Sequence, residues 1–330
     1  MSVTWLARRL LFAAVALVTI ASLTFALAAL APDPNLARLQ YATRGMPEVN
    51  ATALVQEYEA RRHLNDPLYV QYAEWLAATL TFRWGESFRF GGPVTRLVVD
   101  AGLRTAAYVL PAMAFATLFG LFVGVSRALA PGSWLGRGAA AVAYLAVSLP
   151  NFFVGEALVY YTTGTLVAEP GGMQDVAVAG FRGSNPAAPL GDLAATVVLP
   201  GLVLATGITV SLLRFTRAQA MEHAASQFVD VLRGKGVGPL RLTRHVLHNA
   251  AIPLVSVAFT ELLGVLVVAT LVIETIFNIP GLGYLVVVAV SARDMPLLLG
   301  VVTTIGLVGI AANLLQDVVY GVLDPRVGED

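Results

Sequence analysis

Cysteine is absent from the 330 residues. That removes disulfides, thiolate metal sites and cysteine nucleophiles together. Lysine is nearly absent: Lys235 is the single lysine among 21 basic residues, and the rest are arginine. Charge of either sign is scarce, at 13% of the chain against about 25% in an ordinary soluble domain. The 21 basic and 21 acidic residues cancel, so there is no electrostatic footprint for nucleic acid. Catalytic patterns are missing as well. No GxxxxGK[ST] phosphate loop occurs, so ATP cannot be held in that manner. Gly234-Lys235-Gly236 lacks the upstream strand and following Ser/Thr that such a loop needs. HExxH is absent, and His63, His223, His245 and His248 form no ligand cluster with carboxylates. No paired catalytic residues of an intramembrane protease lie deep in an apolar run. No catalytic, cofactor-binding or metal-ligating residue is assigned, and the chain reads as no enzyme.

Apolar residues are plentiful. They make up 57% of the chain, with a mean hydropathy of +0.74, more than a soluble domain could cover. A membrane-spanning helix needs about 20 mainly apolar residues, because each adds about 1.5 Å across about 30 Å of hydrocarbon. Four charge-free runs qualify: Leu10–Pro32, Thr105–Ser126, Leu193–Leu213 and Met295–Gln316. Two more qualify with a single acid inside, Gly138–Ala168 with Glu156 and His245–Ile273 with Glu261. The expectation is an all-α integral membrane protein with six transmembrane helices. Arg8-Arg9 followed by an apolar run ending Ala26-Leu27-Ala28 also fits a signal peptide. The run exceeds the usual h-region and five further spans follow, which favours an uncleaved first helix.

Basic residues in short loops set orientation. With the N-terminus inside, the cytoplasmic side holds Arg8, Arg9, Arg127, Arg137, Arg214, Arg217, Arg233, Lys235, Arg241, Arg244 and Arg326. The short outer loops hold only Arg182 and Arg293. The asymmetry predicts an N-in, C-in topology in the cell membrane. Residues 1–32 then form the first helix, 33–104 an external insertion between helices 1 and 2, and 105–330 the transmembrane core. The insertion is too polar to span and is expected to fold as a small helical cap. Its Asn50-Ala51-Thr52 fits the glycosylation acceptor pattern. Gly120 and Gly124 form a GxxxG, read as close helix packing.

The cytoplasmic loop between the fourth and fifth spans, about 214–248, is patterned. Ala225, Phe228, Val229 and Leu232 recur at helical spacing and make one apolar stripe. Glu222, Gln227, Asp230 and Arg233 take the other faces. Gly236 and Gly238-Pro239 then break the helix, and a second, basic helix begins near Leu240. Two readings stand: a surface helix among lipid headgroups, or a docking element for a soluble partner.

At this segment the sequence resembles the inner-membrane permeases of ABC importers for oligopeptides, dipeptides and nickel. The likeness rests on Phe228-Val229, Arg233-Gly234-Lys235-Gly236 and Arg244-His245-Val246-Leu247-His248-Asn249-Ala250-Ala251-Ile252-Pro253. Further landmarks follow in order: Arg8-Arg9-Leu10-Leu11, Asp66-Pro67-Leu68, Gln71-Tyr72, Trp75-Leu76 and Ser148-Leu149-Pro150-Asn151-Phe152-Phe153-Val154-Gly155. Glu274-Thr275-Ile276-Phe277-Asn278-Ile279-Pro280-Gly281-Leu282-Gly283 and Leu323-Asp324-Pro325-Arg326 close the series. None is specific alone; their order along nearly the whole chain is. Departures from the family's pattern are Asp230 in place of a basic residue, Leu232 and Gly234 in place of Ala, and Glu156 in place of an apolar residue. The stretch from Gly236 to Arg244-His245 is about one residue short.

The resemblance implies one permease of a heterodimer with a homologous sister subunit. Two ABC ATPase subunits would drive it and an extracytoplasmic solute-binding protein would deliver cargo. It implies no cofactor in this chain, with membrane lipid as its surroundings. It makes the coupling helix the ATPase contact, through Phe228, Val229, Asp230, Leu232, Arg233, Lys235 and Gly236. Glu156 and Glu261 are candidates for the translocation pathway, or else neutral acids bonded to a neighbouring helix. The competing reading is an ion-coupled secondary transporter, which would show inverted repeats and broken helices.

Overall fold

The computed structural model describes residues 3–30, 51–61, 65–130, 132–163, 197–224 and 227–323. Asn50 and its acceptor triplet lie outside them. The described residues form no β-strand, only one isolated bridge between Glu86 and Pro93. The helices are α1 (Val3–Leu30), α2 (Ala51–Arg61), α3 (Leu68–Leu80), α4 (Val94–Leu129), α5 (Trp134–Val147), α6 (Asn151–Thr163) and α7 (Leu199–Ala224). They continue as α8 (Gln227–Gly234), α9 (Pro239–Asn249), α10 (Ala251–Gly264), α11 (Thr270–Ile276), α12 (Leu282–Ala292) and α13 (Met295–Leu323). A π-helical segment, Val265–Ala269, joins α10 to α11.

Four of these, α1, α4, α7 and α13, are long and apolar enough to cross a membrane. Two bent pairs raise the number to six if each pair is one span: α5 with α6, bent by 83°, and α9 with α10, bent by 66°. Both breaks have a proline at the cause. A proline ring clashes with the carbonyl four residues before it. Pro150 thus ends α5 at Val147, and Pro253 ends α9 at Asn249. The 36-residue α4 begins at Val94, ahead of the charge-free run that starts at Thr105. The 11 residues of α12 are apolar but too short to span.

The chain divides into two compact units. One comprises 8–99 and 285–310. In it α3 is pinned to α1: Trp75 Nε1 donates to the Ala21 carbonyl at 3.1 Å, and the Tyr72 and Ser22 hydroxyls meet at 2.8 Å. Asp294 is buried and caps α13. It accepts from Ser87 Oγ at 2.6 Å, Arg89 N at 2.9 Å and Leu297 N at 3.2 Å.

The other unit comprises 1–7, 100–284 and 311–330. Its main core joins Tyr108, Ala112 and Ala116 of α4 to Val203, Leu204, Ile208 and Leu212 of α7, with Val265 and Ile273. The GxxxG reading holds here. A Cβ on Gly120 would lie 2.9 Å from Leu212 Cβ, and one on Gly124 2.7 Å from Thr216 Cβ. Two hydrogens in place of side chains are what let α4 and α7 approach.

Candidate coupling segment and interhelical polar sites

The α8–α9 hairpin is where sequence pattern and structure meet. Helix α8 ends as helices with a C-terminal glycine do. Gly236 takes φ +72°, and the Val237 N–H donates back to the Leu232 carbonyl at 3.1 Å, the long bond of a Schellman motif. Pro239 then opens α9 at its first position, where a missing N–H costs nothing.

The apolar stripe faces inward. Val229 has 0% of its surface exposed, as does Val246 of α9. Both belong to one cluster with Val125 of α4, Ala220 of α7 and Leu242, with Leu232 half-buried against it. The expectation that Val229 contacts an ATPase therefore changes: its side chain is already spent on this chain. Helix α8 leaves Asp230, Val231, Gly234, Lys235 and Gly236 exposed at its outer face and turn. Phe228 lies on α8; its side chain and those of Ala225 and Arg233 fall outside the described residues.

The two acids read from the apolar runs differ in setting. Glu261, in α10, is half-buried and accepts a hydrogen bond from Ser211 Oγ of α7. Glu156, in α6, is half-buried. The Thr206 hydroxyl of α7 donates to Asn151 Oδ1 of α6 at 3.0 Å. Ser256 of α10 meets the Tyr320 hydroxyl of α13, which Gln316 Nε2 also reaches. Such bonds satisfy polar groups that hydrocarbon would leave unpaired.

A third acid carries a site that the sequence marked only as a landmark. Glu274 is 0% exposed. It accepts from Thr105 Oγ1 at 2.6 Å, Tyr108 OH at 3.1 Å and the Tyr284 N–H at 2.9 Å. Thr105 in turn accepts from the Leu282 N–H at 2.9 Å, and Arg104 Nη1 reaches the Pro280 carbonyl at 3.3 Å. Gly281 has no room for a Cβ, which would strike the Glu274 carboxylate and the Thr105 hydroxyl. Asn278 takes φ +51° in the same turn. The signal in the sequence was an acid closing an apolar run just before a Pro-Gly turn. Among the described residues no group of three or more His, Asp or Glu could hold a metal.

Residues 116–329 match the family model of the binding-protein-dependent transport system inner membrane component. That match spans more than half of the chain. The chain belongs to this family. A protein provisionally named as a peptide transport system permease of Brucella abortus is 32% identical over 316 residues, 94% of each chain. The dipeptide transport system permease protein DppB of Bacillus subtilis is 29% identical over 277 residues, 83% of this chain and 84% of its own. The oligopeptide transport system permease protein AppB of the same organism is 28% identical over 274 residues, 82% and 84%.

The protein is thus a multi-pass inner-membrane permease component and not an enzyme. Permeases of this family work with ATPase and binding-protein partners, which sets aside the ion-coupled reading. The permease landmarks also acquire structural reasons. Ser148 to Gly155 places the bend at Pro150 and the Asn151 contact to α7. Glu274 to Gly283 builds the buried carboxylate cluster that ties α11 and the start of α12 to α4.

Proposed function

We propose that this permease forms half of a translocation pathway for peptides or a similar small solute, as a heterodimer with a homologous sister subunit. It has six spans with both termini in the cytoplasm, residues 33–104 lie outside, and the α8–α9 hairpin receives an ABC ATPase. The observation that carries the reading is the inward stripe of α8. Val229 and Val246 lock the hairpin to the cytoplasmic ends of α4 and α7, so a displacement of its exposed face moves those ends with it. Phe228, Asp230, Arg233, Lys235 and Gly236 are the proposed contact, with Val229 and Leu232 holding the helix in place. Glu156 and Glu261 remain proposed for the pathway, Glu261 with Ser211 as its neighbour. Peptide cargo is inferred from the names of the relatives.

The test is copurification from cells carrying the full transporter. Phe228→Ala and Gly236→Leu should insert normally, yet lose ATPase association and peptide uptake. Interface hot spots are commonly aromatic, and truncating one costs about 2 kcal/mol or more. Wild-type ATPase yield in both variants would sink the docking reading. Unchanged uptake in Glu156→Gln and Glu261→Gln at normal expression would take those acids out of the pathway.

A further inference from the structure

A cavity of about 240 Å³ opens where the ends of α4, α5 and α7 meet. Arg127 from the last turn of α4, Arg137 from the first turn of α5 and Arg217 of α7 line it, with Tyr144 and Leu213. A fourth guanidinium, that of Arg214, stacks 5.3 Å from the centre of the Tyr144 ring. The glycine contacts of α4 with α7 bring two of these helices together, and α5 returns beside them. Three guanidiniums around one small concavity present many N–H donors and positive charge to whatever enters it. Their planar forks match phosphate oxygens two at a time.

The surroundings decide which phosphate. Phe122, five residues before Arg127 on α4, is exposed, and so are Trp134, Val142 and Leu145 on α5. Away from the arginines along both helices, toward the middle of the span, the surface is therefore apolar. An exposed tryptophan at the level of the charges is the usual mark of a membrane interface. The cavity is also smaller than the roughly 300–1,000 Å³ of sites that enclose drug-sized ligands such as nucleotides.

We propose that this cavity binds the phosphodiester of an anionic phospholipid, whose acyl chains run past Leu145 over the apolar surface toward the middle of the span. The site rests on the membrane reading of the chain. Its assignment to the cytoplasmic leaflet rests on the N-in topology, but the binding itself does not. None of its lining residues belongs to the α8–α9 hairpin.

Native mass spectrometry of the full-length permease in detergent tests it, with phosphatidylglycerol and phosphatidylcholine as probes. Three arginines near a headgroup should give a preference for phosphatidylglycerol on the order of a hundredfold. The preference should fall below about threefold in Arg127→Gln/Arg137→Gln/Arg217→Gln. Arg137→Gln alone, at an exposed position, should fold normally and lose part of it. Arg8→Gln/Arg9→Gln removes charge from α1 instead and should keep it. Inorganic phosphate at millimolar concentration should not displace the lipid.

Four results would overturn the proposal. The triple variant or Arg137→Gln could keep full selectivity. The α1 control could lose as much, which would mean diffuse charge. Inorganic phosphate could displace the lipid fully, which would mean a soluble phosphate ligand. The wild type could show no preference while the triple variant fails to retain the ATPase, which would mean a protein partner.

Discussion

Val229→Ala separates anchoring from docking. The substitution removes two carbons from a side chain with no exposed surface. At about 0.8 kcal/mol per buried CH2 the transfer loss is about 1.6 kcal/mol, and incomplete collapse around the gap brings it to about 2 kcal/mol. That multiplies the detached population of α8 roughly thirtyfold, since about 1.4 kcal/mol is tenfold. An eight-residue helix is far below the length that holds alone in water, so detachment means unfolding. The chain supplies its own reporter. Lys235 is the single lysine and sits in the exposed turn just after α8. A lysine-specific protease can therefore cut only there, and it needs several residues of extended chain to do so. Cleavage into 1–235 and 236–330 should accelerate by up to about thirtyfold in Val229→Ala, tracking the opening equilibrium. Val246→Ala, across the same contact, should act alike, and the double variant should gain less than the product of the two. Val231→Ala, on the exposed face, should leave the rate unchanged. Equal rates in wild type and Val229→Ala would refute the anchoring, and acceleration by Val231→Ala would show that the exposed face holds the helix instead.

Gly124→Leu should abolish monodisperse protein in gel filtration, because even its Cβ would lie 2.7 Å from Thr216 Cβ and 2.9 Å from the Leu213 carbonyl. Gly102→Ala on the same helix, with nothing within 4 Å of the new carbon, should be neutral or slightly stabilising; equal behaviour of the two contradicts the close packing. Glu274→Gln replaces an acceptor by a donor in a site of three donors and should cost about 1–3 kcal/mol, read as a lower thermal midpoint in detergent. A midpoint equal to the wild type would show that the carboxylate is not what the turn depends on. For topology, Asn50→Cys in this cysteine-free chain should react with a membrane-impermeant thiol reagent from outside; labelling only from the cytoplasmic side would overturn the N-in orientation.

Much of the helical layout was legible because hydrocarbon length leaves few choices. The charge-free runs share most of their residues with α1, α4, α7 and α13. Helix α4 extends beyond its charge-free run because charge ends an apolar run without ending a helix. Arg96 and Asp100 are exposed, while Val94, Val98, Ala101, Thr105, Tyr108, Ala112 and Ala116 continue one buried stripe at a spacing of three and four. The breaks at Pro150 and Pro253 had a visible cause, but a proline inside an apolar run also occurs within continuous helices, as Pro111 does in α4. The α8 stripe was found and its direction was not. An apolar face looks the same in sequence whether its own chain or another covers it, and here Val125 and Val246 cover Val229. Glu274 was beyond reach for a different reason: its hydroxyl donors lie 166 and 169 residues away in the chain, and no local pattern encodes them.

The same distribution of fixed and breakable points bears on how a push at the hairpin would travel. At one end α8 and α9 are packed on α4 and α7 through Val229 and Val246. At the other, Glu274 holds α11 to α4 through Thr105 and Tyr108, and to α12 through the Tyr284 N–H. Moving that end costs several buried hydrogen bonds at once, each left unsatisfied at about 1–3 kcal/mol. The strand of helix between them is not uniform. It bends by 66° at Ala250 and switches to π-helical bonding over Val265–Ala269, just after Gly264. Irregular turns of this kind are where helices bend and change register at least cost. A displacement delivered at α8 and resisted at Glu274 must be taken up at these two places, and Glu261 with its Ser211 partner lies between them. The acid proposed for the pathway thus sits between the two irregular turns, on a segment that Ser211 and the packing of Val257, Ala258 and Leu262 hold against the main core.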